Sequence, residues 1–363
     1  MDIIFSPFWL RLQSGMFPMF EDALGEANQN HFRVIAALDL IRPENWIHDF
    51  YRGPGRPKID RENFFRAFVA KKVLNIPTTN ALIDRLKVDI VLRRICGFIF
   101  KKKLPCESSF SNAFAEFPDS AICEQIHSNI VEKNLCDTLV LHISRDSTAI
   151  EARESAPPKK EILPKIAKKR GRPKNGEVTK EPTRLEQQRG QSVEEMLHGL
   201  AGNADYGAKI DSHGNLHTWL GYKLHLDVDV ADGGIPISCC LTPASVHDSG
   251  ASKPLQKMTS LRVNALYCLA DKAYDSREIR EDISSYGQVS IIPEKTRRNG
   301  DKKELESFEK RRFKERTTVD RVNSSLKERF GGSNIFVKGP KKVMCHLMFG
   351  ILVLTSEALM RLG

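Results

Sequence analysis

The stretch "HTWLGYKLHLDVDV", His217 to Val230, decides how this 363-residue chain is built. Leu220, Tyr222, Leu224, Leu226, Val228 and Val230 alternate with Gly221, Lys223, His225, Asp227 and Asp229, the two-residue period of a β-strand with one apolar face. The glycines of "DGG" turn the chain, and "IPISCCLTPA" returns beside it as an antiparallel hairpin. Upstream, "TLVLHISRDS" is a shorter apolar run from Thr138 that closes on an acid, Asp146.

Downstream come a helix over about 249–259, the apolar strand "NALYCLAD" ending at Asp271, and a helix from near Ser276. The strand "VSIIPE" follows, and then "RRFKERTTVDRVNSSLKERFGG" from Arg311 to Gly332, which reads as one amphipathic helix stopped by a glycine pair. Three strands, helix, strand, helix, strand, helix is the element order of the ribonuclease H-like fold, an α/β architecture with a mixed sheet.

Ahead of this region, residues 1–135 are read as a mostly α-helical N-terminal domain. The apolar spacing in "NHFRVIAALDLI", "RENFFRAFVAKKVL" and "NALIDRLKVDIVLRRICGF" carries that reading. The second domain, 136–363, holds the sheet and is interrupted at about 152–214 by an insertion rich in lysine and proline. At least the first half of that insertion buries too little apolar surface to order itself and is expected to be a flexible basic loop. Near the C-terminus, "VMCHLMFGILVLTSEALMRL" has the length of a membrane span, but His346, Glu357 and Arg361 interrupt it, so a buried core helix is expected. The start, "MDIIFSPFWLRLQSG", lacks the cationic lead and cleavage site of a signal peptide.

A net charge of +10 points to a polyanionic partner. The eight cysteines have no CxxC spacing and most lie in apolar context, which argues against a zinc or redox motif and for a reducing compartment. Within the insertion, "KKRGRPK" contains Arg170 and Arg172 around a glycine, the pattern of an extended segment that enters the narrow minor groove of A·T-rich DNA. "FIFKKKLP" is either a phosphate contact or a solvated turn.

Asp146 and Asp271 end strands that neighbour each other in this fold, so their side chains meet at one sheet end. On a regular helix, Phe313, Arg316, Asp320 and Lys327 share an arc of roughly 60°, apart from the packing stripe of Val319, Val322 and Leu326. Taken alone, Arg316 and Asp320 are an ordinary i,i+4 ion pair. Taken with Asp146 and Asp271, Asp320 completes three converging carboxylates, which stay ionised together only if cations neutralise them. All-oxygen ligation suits Mg²⁺ or Mn²⁺, and two such ions would serve phosphodiester displacement. Arg316 and Lys327 would then neutralise phosphates.

The pieces "SRDSTAI", "GYKLHLDVD", "LTPASVHDS", "ADKAYDS" and "RTTVDRVNSSLKERFG", together with "GRPKIDRENFFRAFVAKKVLNIPTTNALIDRL" upstream, resemble the bacterial insertion-sequence transposases of the DDE class. In the group with a Tyr-Arg-Glu-Lys signature the spacing corresponds to Phe313, Arg316, Asp320 and Lys327. Phe313 loses the tyrosine hydroxyl, and Asp320 is shorter than the usual glutamate by one carbon–carbon bond, about 1.5 Å. Glu315 points about 140° from Asp320 and is a poor substitute.

The resemblance implies a DNA transposase that cuts element ends and transfers the strand into target DNA, with Asp146, Asp271 and Asp320 as catalytic metal ligands. It also implies DNA contacts at Arg316, Lys327, Arg170, Arg172, Lys223 and His247. Asp248 and Asp275 read first as helix caps. The implied partner is double-stranded DNA in the cytoplasm, nucleoid-associated when bound, with no membrane, and joint handling of two ends would suit a homodimer. The competing reading is a degenerate copy that only binds DNA.

Overall fold

Four helices of the N-terminal half begin on a polar side chain that closes an otherwise orphaned N–H: α1 (Gln29–Ile41) on Asn28, α2 (Arg61–Val73) on Asp60, α3 (Thr79–Val88) on Thr78 and α4 (Ile90–Ile95) on Asp89. Two more, α5 (Glu107–Ser120) and α6 (Ile122–Leu135), lead into the sheet. The structure, a computed structural model, describes residues 27–47, 59–98, 103–155, 158, 182–210, 214–295 and 304–362.

The strands follow: β1 (Leu139–Glu151), then two short helices α7 (Arg184–Gln187) and α8 (Val193–Leu200), β2 (Asp205–Ile210), β3 (Leu216–Asp229) and β4 (Ile235–Pro243). The remainder alternates: α9 (Ser252–Arg262), β5 (Asn264–Ala270), α10 (Arg277–Ser285), β6 (Val289–Ile291), α11 (Ser307–Phe313), α12 (Thr317–Arg329) and α13 (Pro340–Leu359). β3 pairs antiparallel with β1, β2 and β4, whereas β1–β5 and β5–β6 are parallel. This is the mixed sheet expected of a ribonuclease H-like fold.

Three local expectations change. The second half of the insertion is structured where described: α7, α8 and β2 lie in it, and β2 pairs with the first half of β3. The long amphipathic helix is two helices, because Lys314–Arg316 form a 3-10 turn between α11 and α12. Three residues at 120° rather than 100° rotate Phe313 by about 60° relative to Asp320, so the arc drawn for a single regular helix does not hold across the turn. Finally, the polar face of β3 is no solvent face, since His225, Asp227 and Asp229 are all buried.

The two faces have different chemistry. The even-numbered apolar residues of β3 join Val319, Val322 and Leu326 of α12 and most of α13 in one core that continues into α1, α2, α5 and α6. Helix α13 is long and apolar enough to cross a membrane, but it is buried against α2, α5, α6 and β4, which accounts for its composition as a core helix. At its centre Phe349 stacks on Phe65 at 4.7 Å between ring centroids, joining the helical half to the sheet half.

On the opposite face Arg145 of β1 meets Asp227 of β3. Its guanidinium donates two bonds of 2.7 Å to the two carboxylate oxygens, and both side chains are fully buried. Thr259 of α9 donates to the same carboxylate at 2.7 Å, while Arg145 also donates to Ser252 and Gln256. One ion pair thereby hydrogen-bonds β1, β3 and α9 together. Removing one partner strands a buried charge, so Asp227→Ala or Arg145→Met is expected to cost about 3–5 kcal/mol. Urea unfolding of each variant measures this, and a loss below about 1 kcal/mol would mean that the pair does not hold the face together.

Candidate active site

Parallel pairing of β1 with β5 sets Arg145 opposite Ala270. Asp146 and Asp271 come next, side by side where the β1–β5 ladder stops; β1 does not end at Asp146 as expected from the sequence, because pairing with β3 carries it on to Glu151. Asp146 pairs across to Leu226 on the antiparallel side and shares that residue's face, toward α12. Asp271 opens the short turn Lys272–Tyr274 and accepts the backbone N–H of Lys272.

The third acid arrives on α12, whose start is fastened to the same strand. Ser144 donates to the backbone carbonyl of Arg316 at 3.0 Å, two residues before Asp146. Gly234, at φ +94°, lets the hairpin turn pass against Thr318 and Val322, where a Cβ would come within 2.5 Å of a Val322 methyl. So held, Asp320 projects into solvent, with Arg316 Nη2 at 3.5 Å from its carboxylate. The helix-surface pair is present, though long for a hydrogen bond.

Electrostatics tie Asp320 to Asp146 nevertheless. Burial first, and with it the Asp320 charge, pushes the Asp146 carboxyl up to about 7 against the opposing pull of the Ser147 N–H, Arg316 and Lys209. Among the described residues no three His, Cys, Asp or Glu side chains gather at metal-ligand spacing. Each acid keeps its local partner: Ser147 for Asp146, Lys272 for Asp271 and Arg316 for Asp320. Two carboxylates thus lie side by side where the β1–β5 ladder stops, and the charge of a third reaches one of them.

The cationic residues divide into two groups. Arg316 lies between the acids and the Phe313 ring, its guanidinium carbon 5.8 Å from the ring centroid. Lys327 is half-buried farther along the helix, where Glu151 supports its charge and Lys209 opposes it. Lys223 turns inward, donating to Asp248 at 2.9 Å and to the Val246 carbonyl at 3.0 Å, so it braces the loop that carries His247. His247 is the N-cap of the turn Asp248–Ala251, accepting the Ser249 N–H, and lines a cleft with Arg184 of α7. The cap expected at Asp248 is therefore His247, because the Asp248 carboxylate is taken by Lys223 and Ser147. Asp275 accepts from Arg280 and the Lys295 N–H, while Ser276 caps α10. Arg170 and Arg172 lie outside the described residues.

Two contributors escaped the sequence reading. Lys209 comes from β2, inside the insertion, and its charge reaches both Asp146 and Lys327. The alternation in "YGAKI" would have signalled that strand. Arg145, next to Asp146, had no sequence signal, since a buried pair with Asp227 requires the β1–β3 register.

The raised Asp146 pKa has a consequence for stability. An unfolded Asp loses its proton near pH 4, whereas Asp146 in the folded chain holds it to about pH 7. Folded stability therefore falls as pH rises between those values and levels off above. Asp146→Asn is expected to raise the melting temperature at pH 8 by roughly 3 °C or more, with the gain shrinking toward pH 4. Equal shifts at both pH values in a thermal melt would show that Asp146 ionises without penalty.

Protein-family models match both halves of the chain. Residues 142–356, more than half of the chain, match the family described as "Transposase DDE domain", and residues 21–116 match "Transposase domain (DUF772)". Neither a curated protein nor a solved structure matches the chain. The DDE match runs from within β1 through nearly all of α13, and with it covers Asp146, Asp271 and Asp320. The chain belongs to the insertion-sequence DDE transposases and is a DNA transposase.

Proposed function

We propose that Asp146, Asp271 and Asp320 form the catalytic centre, holding Mg²⁺ or Mn²⁺, two ions in the working complex, for cleavage at element ends and strand transfer into target DNA. The observation that carries this reading is the register that makes Asp146 and Asp271 neighbours. When bound, such ions supply charge neutralisation and an activated oxygen nucleophile for phosphodiester displacement.

The chain's own contribution is positional and electrostatic. Asp146 and Asp271 sit on paired strands backed by the Arg145–Asp227 pair, so their spacing is fixed by backbone hydrogen bonds. Asp320 lies on a helix whose first turn is bonded to Ser144, which limits its approach to a small shift of α12. Its shorter side chain makes that approach the demanding step in assembling the site. Arg316, Lys327, Lys209 and His247 face the phosphates on either side of the scissile bond, and Lys223 holds the His247 loop in place. Arg170 and Arg172 add minor-groove contacts from the insertion, and a homodimer would handle two ends. The working compartment is the cytoplasm, on nucleoid DNA.

Nicking of supercoiled DNA carrying an element end tests the assignment. Alanine at Asp146 or Asp271 is expected to abolish Mg²⁺-dependent nicking while the salt-sensitive gel shift of DNA binding remains. Unchanged nicking in either variant would overturn it. Asp320→Glu is expected to match or exceed the parent, because the longer arm shortens the gap to Asp146, and a large loss would move the third acid elsewhere.

A further inference from the structure

Away from the acids, a cavity of about 210 Å³ opens between α2, α5, α13 and the segment before α13. Its apolar wall is Phe68, Phe110, Phe114 and Phe349, whose rings pack on one another at 5.2 to 6.2 Å between centroids. Occupied with one another in this way, they make a dry floor rather than a stacking surface. The rest of the wall is cationic, with Lys71, Lys72, Lys338 and Lys342 and no Asp or Glu.

The inner two lysines lack the partners that burial demands. Lys71 is 8% exposed, and among the described residues it has no hydrogen bond or ion pair. Lys72, 5% exposed, places Nζ 2.8 Å from His346 Nε2, which lies 2.9 Å from the Gly331 carbonyl. That ring nitrogen can accept from Lys72 or donate to Gly331 but not both, so a protonated Lys72 leaves the carbonyl without its donor. Burial lowers Lys71 to about 8 and, with the Lys71 charge beside it, takes Lys72 well below the usual lysine range. At the mouth Lys338 and Lys342 are exposed, and Lys342 stands in the first turn of α13, where the helix dipole disfavours a cation. One anion among the four would give Lys71 a partner and offset the crowding of positive charge.

We propose that this pocket binds one small inorganic oxyanion of the phosphate class, with Lys71 and Lys72 holding it from inside and Lys338 and Lys342 closing over it. Lysine meets phosphate as a point charge, so a cluster of ammonium groups suits a compact polyanion without a shaped recognition surface. The cavity lies below the ~300–1,000 Å³ of sites for drug-sized ligands, and its phenyl floor takes no base. A backbone phosphate of DNA carries two ester chains, for which the buried inner wall has no exit, whereas free phosphate has none to place. The site is therefore separate from substrate DNA and does not rest on the catalytic reading. Because Lys71 and Lys72 belong to α2 and Lys342 to α13, the anion would tie the helical half of the chain to the last helix of the sheet half.

Calorimetric titration of the full chain with inorganic phosphate, in a buffer free of other oxyanions and at constant ionic strength, tests the site. Saturable binding of one phosphate per chain is expected, with a melting temperature that climbs as phosphate is added, as mass action requires of a ligand of the folded state. The double variant Lys338→Gln/Lys342→Gln alters only exposed side chains and is expected to weaken binding roughly tenfold or more. Lys71→Met is expected to abolish the phosphate-dependent rise while melting higher than the parent in phosphate-free buffer, because it removes a buried charge that has no partner. Absence of saturable binding by the parent overturns the proposal, as does unchanged affinity in either variant. Displacement of the bound phosphate by a DNA duplex at equal ionic strength would make the site part of the DNA surface and overturns it as well.

Discussion

The interaction on which the arrangement depends is the buried pairing of Arg145 with Asp227. It crosses from β1 to β3 beneath the sheet and draws Ser252, Gln256 and Thr259 of α9 onto the same two side chains. Because side chains alternate along a strand, fixing Arg145 downward fixes Asp146 upward. A slip of one residue would bury the acid and expose the arginine. The parallel ladder to β5 then extends this constraint to Asp271, so two acids 125 positions apart share one sheet end.

Charge is organised around that end in layers. The acids are closest to the strands, with Arg316 and Lys209 acting on Asp146, and Lys327 lies beyond them near Glu151. Burial and a second carboxylate raise the Asp146 carboxyl, and a nearby positive charge favours its ionised form. Arg316 stands nearest of the positive groups, 3.5 Å from the Asp320 carboxylate, and Lys327 lies farther along α12.

Much of this was legible from residues alone. The alternation in β3, the acid closing β5 and the packing stripe of Val319, Val322 and Leu326 correspond to an observed strand, a strand end and buried positions, whereas Asp146 lies inside β1, which β3 carries on to Glu151. What was not legible depended on pairing. The 3-10 turn at Lys314–Arg316 follows from docking on β1, where Ser144 bonds the Arg316 carbonyl, and residue spacing carries no trace of it. Strand β2 is short and exposed, gaining its order from β3 rather than from an apolar run of its own. His225 and Asp227 read as a solvent face because their partners, Thr242, Arg145 and Thr259, come from other elements. The spacing in "RENFFRAFVAKKVL" gives the helix but not that Lys71 and Lys72 are buried in it, since α2 is enclosed by α5 and α13.

The central claim is that carboxylates from β1, β5 and α12 share a divalent-ion pocket. Anomalous diffraction from crystals grown with Mn²⁺ tests it most directly. The account predicts manganese density between the Asp146 and Asp271 carboxylates, with the Asp320 carboxylate drawn from Arg316 toward it. Manganese bound elsewhere, with these three side chains directed away from one another, would contradict it.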